Sequence, residues 1–403
     1  MKKVILAFSG GLDTSFCALY LKAQGYNVVT LTVDTGGFTK QDKEVIKKQA
    51  KKVGSIKHIF INAKQDLFDA FAAYIIKGNV LRGGVYPLCV GPERIIIAKK
   101  LAELAILEKA DAVAHGSTGA GNDQVRFDIA LSVLLPGTKV ITPIRDLGIT
   151  RSKEIEFLKK NNIQMSEAIK LYSINKGLLG TTIGGSETNG SWDPLPDSAY
   201  PTVLSIDKTP NQGEEIIISF KKGLPVQING KRMHVVAIME FLNLLGAKHG
   251  VGKAIHLGNT VLGIKGRVGF EAPGALILIK AHTELEKLVL TKWQLFWKET
   301  ICNAYGNFLH EALYFDPVVK DIEAFIDNSQ TIVTGQVKVK LIKGNICIQG
   351  VKSSYSLMSS KIATYGEENL LWNGQDAKGF SKIYGLQSIL VNRAKKIGKK
   401  YER

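Results

Sequence analysis

The sequence lacks several features that define common protein classes. Its 403 residues include only four cysteines, widely spaced and without a C-x-x-C pair, which argues against a disulfide framework or a zinc site and favours free thiols. No apolar run approaches the length of a membrane span, and residues 1–3 lead into a strand pattern instead of a secretion signal. We therefore expect a cytoplasmic protein without a membrane partner.

Acidic residues are scarce relative to basic ones, and the formal net charge is +17. Such a charge attracts nucleic acid when the basic residues share one surface. Here the lysines are spread along helical patterns, for example at 43–52 and 159–160, with one denser run at 395–400. We interpret them as solvated helix faces and expect no nucleic-acid partner.

Residues 3–15, KVILAFSGGLDTS, contain neither a G-x-x-x-x-G-K-[ST] nor a G-x-G-x-x-G motif, so a Walker or dinucleotide site is not supported. A short apolar strand, two glycines and a polar cluster instead lead into a helix that runs to about Lys22. The first N–H groups of a helix are unpaired and carry partial positive charge, so a phosphate fits there. Many α/β proteins have such a turn without binding phosphate, so the glycines alone leave both readings open.

Strand and helix patterns alternate along the first 165 residues. The strand patterns lie at 3–8, 28–34, 58–62, 112–115 and 140–144, with helical patterns between them that include 67–76 and 93–109. This alternation predicts parallel βαβ units. In such a sheet Ser9, Asp34 and Gly116 would lie at the carboxyl ends of strands, where ligands collect. We predict one nucleotide-binding domain over residues 1–165.

The remaining chain predicts a second domain of α+β type over residues 170–360. Glycine and proline crowd 171–201, which indicates a long loop or a domain crossing, and strand pairs at 215–228 and 337–348 indicate hairpins. A helical pattern covers 284–309, and its aromatic residues are interpreted as core: Trp293, Phe296 and Trp297. A third segment, 380–403, predicts a terminal helix capped by Ser381, followed by a basic tail; its apolar face must lie on its own domain or on a neighbouring subunit.

A second polar cluster, HGSTGAGNDQVRFD at 115–128, follows the predicted strand at 112–115. A simple turn would need one or two glycines, but not Thr118, Asn122, Asp123 and Arg126 together. A guanidinium can hold a carboxylate through two nitrogens, a carboxylate can hold an ammonium, and an amide offers a donor and an acceptor to a urea-like group. The set therefore suits a zwitterionic, amide-rich ligand.

The string SGGLDTS at 9–15 resembles the PP-loop of the ATP pyrophosphatase superfamily, whose members cleave ATP to AMP and pyrophosphate. Together with G-x-T-G-x-G-N-D-Q-V-R-F at 116–127, it resembles the argininosuccinate synthase family, and the similarity runs along nearly the whole chain. Residues 248–252, 263–267 and 220–223 are also similar to that family. Two long motifs in the same order and spacing make a chance match very improbable.

The resemblance implies an α/β fold: a parallel-sheet nucleotide-binding domain of the PP-loop type, an α+β synthetase domain and a C-terminal oligomerisation helix. It further implies ATP-dependent ligation of L-citrulline and L-aspartate to argininosuccinate in arginine biosynthesis. AMP and pyrophosphate are released through a citrullyl-adenylate, with Mg²⁺ as cofactor and a homotetramer as the assembly. Positioning and charge stabilisation suffice for such chemistry, which agrees with the lack of a nucleophile–base pair in the sequence.

The resemblance also assigns site residues, although the metal ligands stay unknown. It assigns ATP to Ala7, Phe8, Ser9, Gly10, Gly11, Leu12, Asp13, Thr14, Ser15, the backbone of Val33 beside the adenine, and Gly116. It assigns aspartate to Thr118, Asn122 and Asp123. It assigns citrulline to Tyr86, Asn122, Arg126, Ser173 and Thr182, the last at a usual serine position.

The chain departs from the family pattern on the amino-acid side. Residues 89–91 are Cys-Val-Gly where the family commonly has Gly-Thr-Ser, and a family glutamate and tyrosine fall at Gly258 and Phe270. One explanation is that other residues, such as Glu187 or Lys265, take over those contacts. The other is that the enzyme accepts an N-acylated citrulline, whose amide needs no anionic partner. Equal or better kcat/KM with free citrulline would exclude the second explanation.

Two hypotheses from other classes are weaker. A PP-loop enzyme that modifies tRNA would use the same ATP chemistry, but the four cysteines match no sulfur-transfer arrangement. A decayed synthase that acts only as a binding protein would rarely retain both motifs. Citrulline- and aspartate-dependent release of pyrophosphate separates all three hypotheses.

Overall fold

The computed structural model describes residues 2–164, 171–358 and 371–401. The chain divides into two compact units, the first covering Met1–Ser354 and the second Tyr355–Arg403. Within the described ranges, no helix combines the length and the apolar character needed to cross a membrane.

The N-terminal part of the first unit is built on a five-stranded sheet in the order β3-β2-β1-β4-β5, in which all neighbouring strands are parallel. The elements are β1 Lys3–Ala7, α1 Leu12–Ala23, β2 Asn27–Asp34, α2 Lys40–Lys52, β3 Lys57–Asn62, α3 Lys64–Leu67, a π-helical turn Phe68–Ala72, α4 Ala73–Lys77, α5 Gly91–Leu107, β4 Ala112–Ala114, α6 Asn122–Leu134, β5 Lys139–Ile141, α7 Pro143–Leu147 and α8 Arg151–Lys160. The predicted parallel α/β fold is confirmed.

Alternate residues of β1 pack on opposite faces of this sheet. Val4 and Leu6 join one buried cluster, which includes apolar residues of α1 and α8, whereas Ile5 joins another that includes residues of α5. A strand buried on both sides is typical of parallel sheets covered by helices. The helices therefore leave the carboxyl ends of the strands as the place where ligands can approach.

The rest of the first unit contains two antiparallel sheets, in the orders β11-β12-β7-β6 and β10-β9-β8-β13-β14. The elements are β6 Ser173–Lys176, β7 Thr181–Gly184, β8 Glu214–Lys221, β9 Leu224–Ile228, β10 Lys231–Arg232, α9 Val235–Lys248, β11 Lys253–Asn259, β12 Lys265–Glu271, α10 Pro273–Val289, α11 Lys292–His310, α12 Pro317–Ser329, β13 Gly335–Ile342 and β14 Asn345–Lys352. Both predicted hairpins are confirmed.

The prediction of a long loop over 171–201 is wrong for residues 173–184, because β6 and β7 lie there and pair with each other. Each strand has only four residues, and glycines flank them. Strands this short become stable only when a third strand, here β12, pairs with β7. Such a long-range partner leaves no local signal in the sequence.

The predicted helix over 284–309 is in fact two helices. α10 ends at Val289, and Thr291 caps α11 through a capping box with Gln294. The interpretation of the α11 aromatics as core is also wrong, since Trp293, Phe296 and Trp297 are 62%, 53% and 55% exposed.

The second unit carries α13 Gly374–Tyr384 and α14 Leu386–Tyr401. Asn373 caps α13 by accepting hydrogen bonds from the backbone of Gln375 and Asp376. The prediction that Ser381 begins the terminal helix is therefore wrong. Ser381 lies inside α13 and donates its hydroxyl to the carbonyl of Ala377.

Candidate active site

The turn between β1 and α1 presents backbone N–H groups where a strand ends and a helix begins. Gly10 has φ +75°, a conformation that favours glycine, and Gly11 is an N-cap residue without a capping side chain. The Ser9 and Thr14 hydroxyls lie 3.2 Å apart, and Gly11 N–H donates to Ser9 Oγ at 3.4 Å. The turn is thus ordered by its own hydroxyls around an uncapped helix N-terminus, which suits an anion.

The turn after β4 lies against the first one. A Cβ built on Gly116 would lie 3.3 Å from Thr14 Cγ2 and 3.5 Å from Asp13 Cβ. Glycine is favoured at this position because a side chain would press on the start of α1. Two turns that are a hundred residues apart in sequence therefore form one surface at the carboxyl ends of β1 and β4.

A pair of carboxyl groups lies at the start of α1. Glu154 on α8 is buried, and its pKa is raised to about 8 by burial and then by the charge of Asp13, with which it shares a side-chain hydrogen bond. Glu154 Oε2 has no hydrogen-bond partner. Among the described residues, no group of three or more potential His, Cys, Asp or Glu ligands occurs.

The start of α6 holds Asp123 between two arginines. Arg94 Nε donates to Asp123 Oδ2 at 2.8 Å, and Arg126 Nη1 donates to Oδ1 at 3.1 Å. Burial raises the Asp123 pKa, but the two guanidinium groups outweigh it, so that the pKa lies below its ordinary value. The carboxylate stays ionised and fixed in orientation.

Arg126 is buried and also donates to the carbonyl oxygen of His310, from Nε at 3.2 Å and from Nη2 at 3.1 Å. The sequence predicts that the Arg126 guanidinium can hold a ligand carboxylate, and in the structure it also has these protein partners. A Cβ built on Gly91 would lie 3.6 Å from Arg126 Nη2. Residues 89–91, where the family commonly has Gly-Thr-Ser, therefore border this guanidinium.

Two contacts connect the surroundings of Asp123 to the antiparallel sheet. Asn122 Oδ1 accepts from the Val261 N–H at 2.9 Å, in the turn between β11 and β12. Arg94 Nη2 donates to Asn175 Oδ1 at 2.9 Å on β6, the strand that begins at Ser173. Sequence reasoning missed Arg94, whose only signal was a charged residue at the start of a predicted helix.

Tyr86 forms the centre of an aromatic cluster. Its ring stacks on His256, with centroids 5.4 Å apart, and packs against Phe270 at 5.2 Å. Thr182 on β7 pairs directly with Phe270 on β12. The Arg126 charge also acts on the Tyr86 phenol, whose pKa is raised chiefly by burial. The structure therefore brings Tyr86, Arg126 and the strand of Thr182 towards one region.

The two residues suggested as replacements have other surroundings. Glu187 Oε2 accepts from the Tyr172 hydroxyl at 2.7 Å, and Lys265 is exposed at the start of β12. Among the other predicted site residues, Val33 is buried on β2, and Thr118 lies in the β4–α6 turn, its Oγ1 3.8 Å from a Cβ built on Gly121.

Glu93 is an unexpected carboxyl group beside this region, and only 1% of its surface is exposed. Its Oε1 lacks a hydrogen-bond partner, and Oε2 lies 3.8 Å from Arg94 Nη1. Burial raises the Glu93 pKa to about 8, although the Arg94 charge and a hydrogen bond with Thr35 oppose the shift. The folded protein therefore favours the neutral form of this acid.

We expect Glu93→Gln to become more stable relative to the wild type as pH rises. A carboxyl whose folded pKa lies above its unfolded value loses its stabilising contribution between the two, here from about pH 4.5 to about pH 8. Each pKa unit corresponds to about 1.4 kcal/mol, and the amide cannot ionise. Thermal unfolding at pH 5 and pH 8.5 measures the difference. Exposed Glu103→Gln is the control, and an identical pH trend in both variants would contradict the expectation.

Two family models match the chain. Residues 3–164 match the model described as arginosuccinate synthase N-terminal HUP domain, and residues 172–391 match the arginosuccinate synthase C-terminal domain. Among solved structures, the complex of a 4-thiouridine synthetase with RNA and bound ATP is 16% identical, with a TM-score of 0.32 over 40% of each chain. That likeness is too weak to support any conclusion.

Several curated relatives named argininosuccinate synthase align over nearly the full chain. The protein of Pyrococcus furiosus is 39% identical and covers 96% of this chain and 94% of its own. That of Anoxybacillus flavithermus is 40% identical with 98% of both chains covered, and that of Methanocaldococcus jannaschii is 41% identical with 97% and 98% covered. With both domain models matched in order and relatives aligned along almost its whole length, this chain belongs to the argininosuccinate synthase family.

Proposed function

We propose that the two contacting turns divide the family's reaction between them, one holding ATP and the other the two amino acids. The reaction is the ATP-dependent ligation of L-citrulline and L-aspartate, as expected for a ligase of this family. The observation that carries the division of roles is the close approach of Gly116 to Asp13 and Thr14. It brings the end of the nucleotide turn to the beginning of the amino-acid turn.

The nucleotide half uses residues 7–15, the backbone of Val33 and Gly116. The uncapped N-terminus of α1 supports binding of the phosphates, because its N–H groups and dipole favour negative charge. Mg²⁺ fits here as a complex with ATP: it prefers oxygen ligands, and Asp13 supplies a carboxylate beside the phosphate-binding turn. The ion would offset the charge of the triphosphate and of the departing pyrophosphate.

The amino-acid half uses the start of α6 and the strands around it. We assign aspartate to Thr118, Asn122 and Asp123, and support for this is the ionised Asp123 carboxylate, which Arg94 and Arg126 hold in place. We assign citrulline to the residues that the family resemblance implies, which include members of the aromatic cluster and of this helix start: Tyr86, Asn122, Arg126, Ser173 and Thr182.

In the mechanism, the ureido oxygen of citrulline attacks the α-phosphorus of ATP, and pyrophosphate leaves. The aspartate amine, after losing a proton, then attacks the ureido carbon, and AMP leaves with the former ureido oxygen. No covalent bond to the protein forms in either step. The chain contributes positioning of three substrates and stabilisation of negative charge.

The test of this function is the release of AMP and pyrophosphate by the purified protein with ATP, Mg²⁺, citrulline and aspartate, and with each amino acid omitted in turn. We expect AMP only when both amino acids are present. AMP formation that is indifferent to both of them, or that requires tRNA, would overturn the proposal.

We also propose a homotetramer in which α14 contacts another subunit. Leu386, Ile389, Leu390 and Ile397 are all exposed and recur at helical spacing on one face of α14. Contiguous exposed apolar surface is typical of interaction sites.

We further propose a cytoplasmic location. The described cysteines are free thiols, which supports it.

Deletion of residues 386–403 is therefore expected to reduce the size of the assembly, because the apolar face of α14 is lost. Sedimentation velocity measures the change. A triple variant with serine at Leu386, Ile389 and Leu390 should behave in the same way, whereas Lys395→Ala on the opposite face should not. An unchanged sedimentation coefficient in the deletion variant would contradict the assignment.

A further inference from the structure

His256 on β11 carries a buried nitrogen without a hydrogen-bond partner. Only 7% of the residue is exposed, and the unpartnered atom is Nε2. Leaving a buried polar atom unpaired costs stability, so such atoms usually have a partner. A bound ligand is one way to supply it.

The imidazole is closely packed. One face stacks on Tyr86 at an interplanar angle of 16°, and Cε1 lies 3.0 Å from a Cβ built on Gly83. A Cβ on Gly258 would lie only 2.6 Å from Nε2, and in a strand residues 256 and 258 face the same side. The ring therefore takes the space that a side chain at position 258 would need.

The groups around His256 favour its neutral form. Burial and then the charge of Arg82 hold the His256 pKa below its ordinary value. The neighbouring His310 has a pKa lowered to about 3 by burial and by Arg126 and Arg82. A neutral imidazole in this region can accept a hydrogen bond, whereas the arginines can only donate.

We propose that His256 Nε2 is a further binding group of the amino-acid site and accepts a hydrogen bond from the α-amino group of citrulline. This inference rests on the proposed citrulline site around Tyr86 and Arg126. The acceptor nitrogen beside Tyr86 suits the ammonium of the substrate. His256 thus selects substrates that carry an N–H donor at the α-position.

The test compares citrulline with 5-ureidopentanoic acid, which lacks only the α-amino group, by measuring kcat/KM for pyrophosphate release. His256→Phe keeps the ring stack but removes Nε2, and His256→Gln keeps a polar atom near the Nε2 position. We expect His256→Phe to lower kcat/KM for citrulline about tenfold or more, with less than about a twofold change for 5-ureidopentanoic acid. His256→Gln should retain more of the preference for citrulline than His256→Phe.

An equal loss for both substrates in His256→Phe, or no loss for either, would overturn the inference, because a purely structural role cannot distinguish them. If that variant does not fold, a wild-type enzyme that uses both substrates equally well would overturn it. Arg126→Lys, assayed in parallel, separates this inference from the proposed site. If Arg126→Lys leaves the KM for citrulline unaltered, the proposed citrulline site is wrong. If Arg126→Lys raises that KM but the His256 variants have no effect, only the inference about His256 fails.

Discussion

Asp13→Ala should lower citrulline-dependent pyrophosphate release by about 10³-fold, comparable with the loss when one preorganised stabilising group is removed from an active site. Asp13 lies at the start of α1, beside Gly116 and next to Glu154. Its carboxylate is the charged side chain of the nucleotide turn, so the proposed Mg²⁺ complex of ATP would lose an anionic oxygen ligand. A discontinuous pyrophosphate assay at saturating substrates measures the loss.

The isosteric variant Asp13→Asn should lose activity to a similar extent, because it keeps the shape of the side chain and removes the charge. Asp207→Ala, in an exposed turn, is the control and should keep the wild-type rate. Circular dichroism and thermal unfolding should show folded protein in all three. Pyrophosphate release at the normal rate by either Asp13 variant would refute the role of this residue.

Replacement of Arg126 by lysine should lower kcat/KM for citrulline by about 10²-fold, while the KM for ATP changes little. The guanidinium bonds Asp123 through one nitrogen and the His310 carbonyl through two others, and a single ammonium cannot reproduce this fork. Arg126→Ala should in addition lower the melting temperature, because buried partners lose their donor. Initial rates with each substrate varied in turn measure both effects.

Arg232→Lys, on exposed β10, is the matched control and should behave like the wild type. A rise in the KM for ATP as large as that for citrulline would indicate a general distortion of the cleft. That result would remove the support for Arg126 as a citrulline-binding residue.

The nucleotide-binding half was predictable because its signals are local. The apolar strand, the glycine turn and the helix start around Asp13 lie within thirteen consecutive residues, and buried parallel strands have a recognisable composition. The second motif at 115–128 was recognisable for the same reason. Its contact with the first turn followed from the rule that parallel strands share one functional edge.

The amino-acid half was harder to predict because its partners come from distant segments. Arg94 and Asn175 are 81 residues apart, yet they contact each other beside Asp123, and the short strands β6 and β7 depend on β12. The unpartnered nitrogen of His256 is invisible until β11 is placed against Tyr86. Hydrophobic periodicity also gave a wrong prediction of burial for α11, because its exposed aromatic residues have the same spacing as core residues.

The most direct test of the shared site is the fate of the ureido oxygen of citrulline. The protein is incubated with [ureido-¹⁸O]citrulline, aspartate, ATP and Mg²⁺, and the AMP produced is analysed by mass spectrometry. We predict that the label is transferred to AMP. The ureido oxygen attacks the α-phosphorus first, and it leaves with AMP when the aspartate amine attacks the ureido carbon. Unlabelled AMP formed along with argininosuccinate would contradict activation of citrulline at the junction of the two turns.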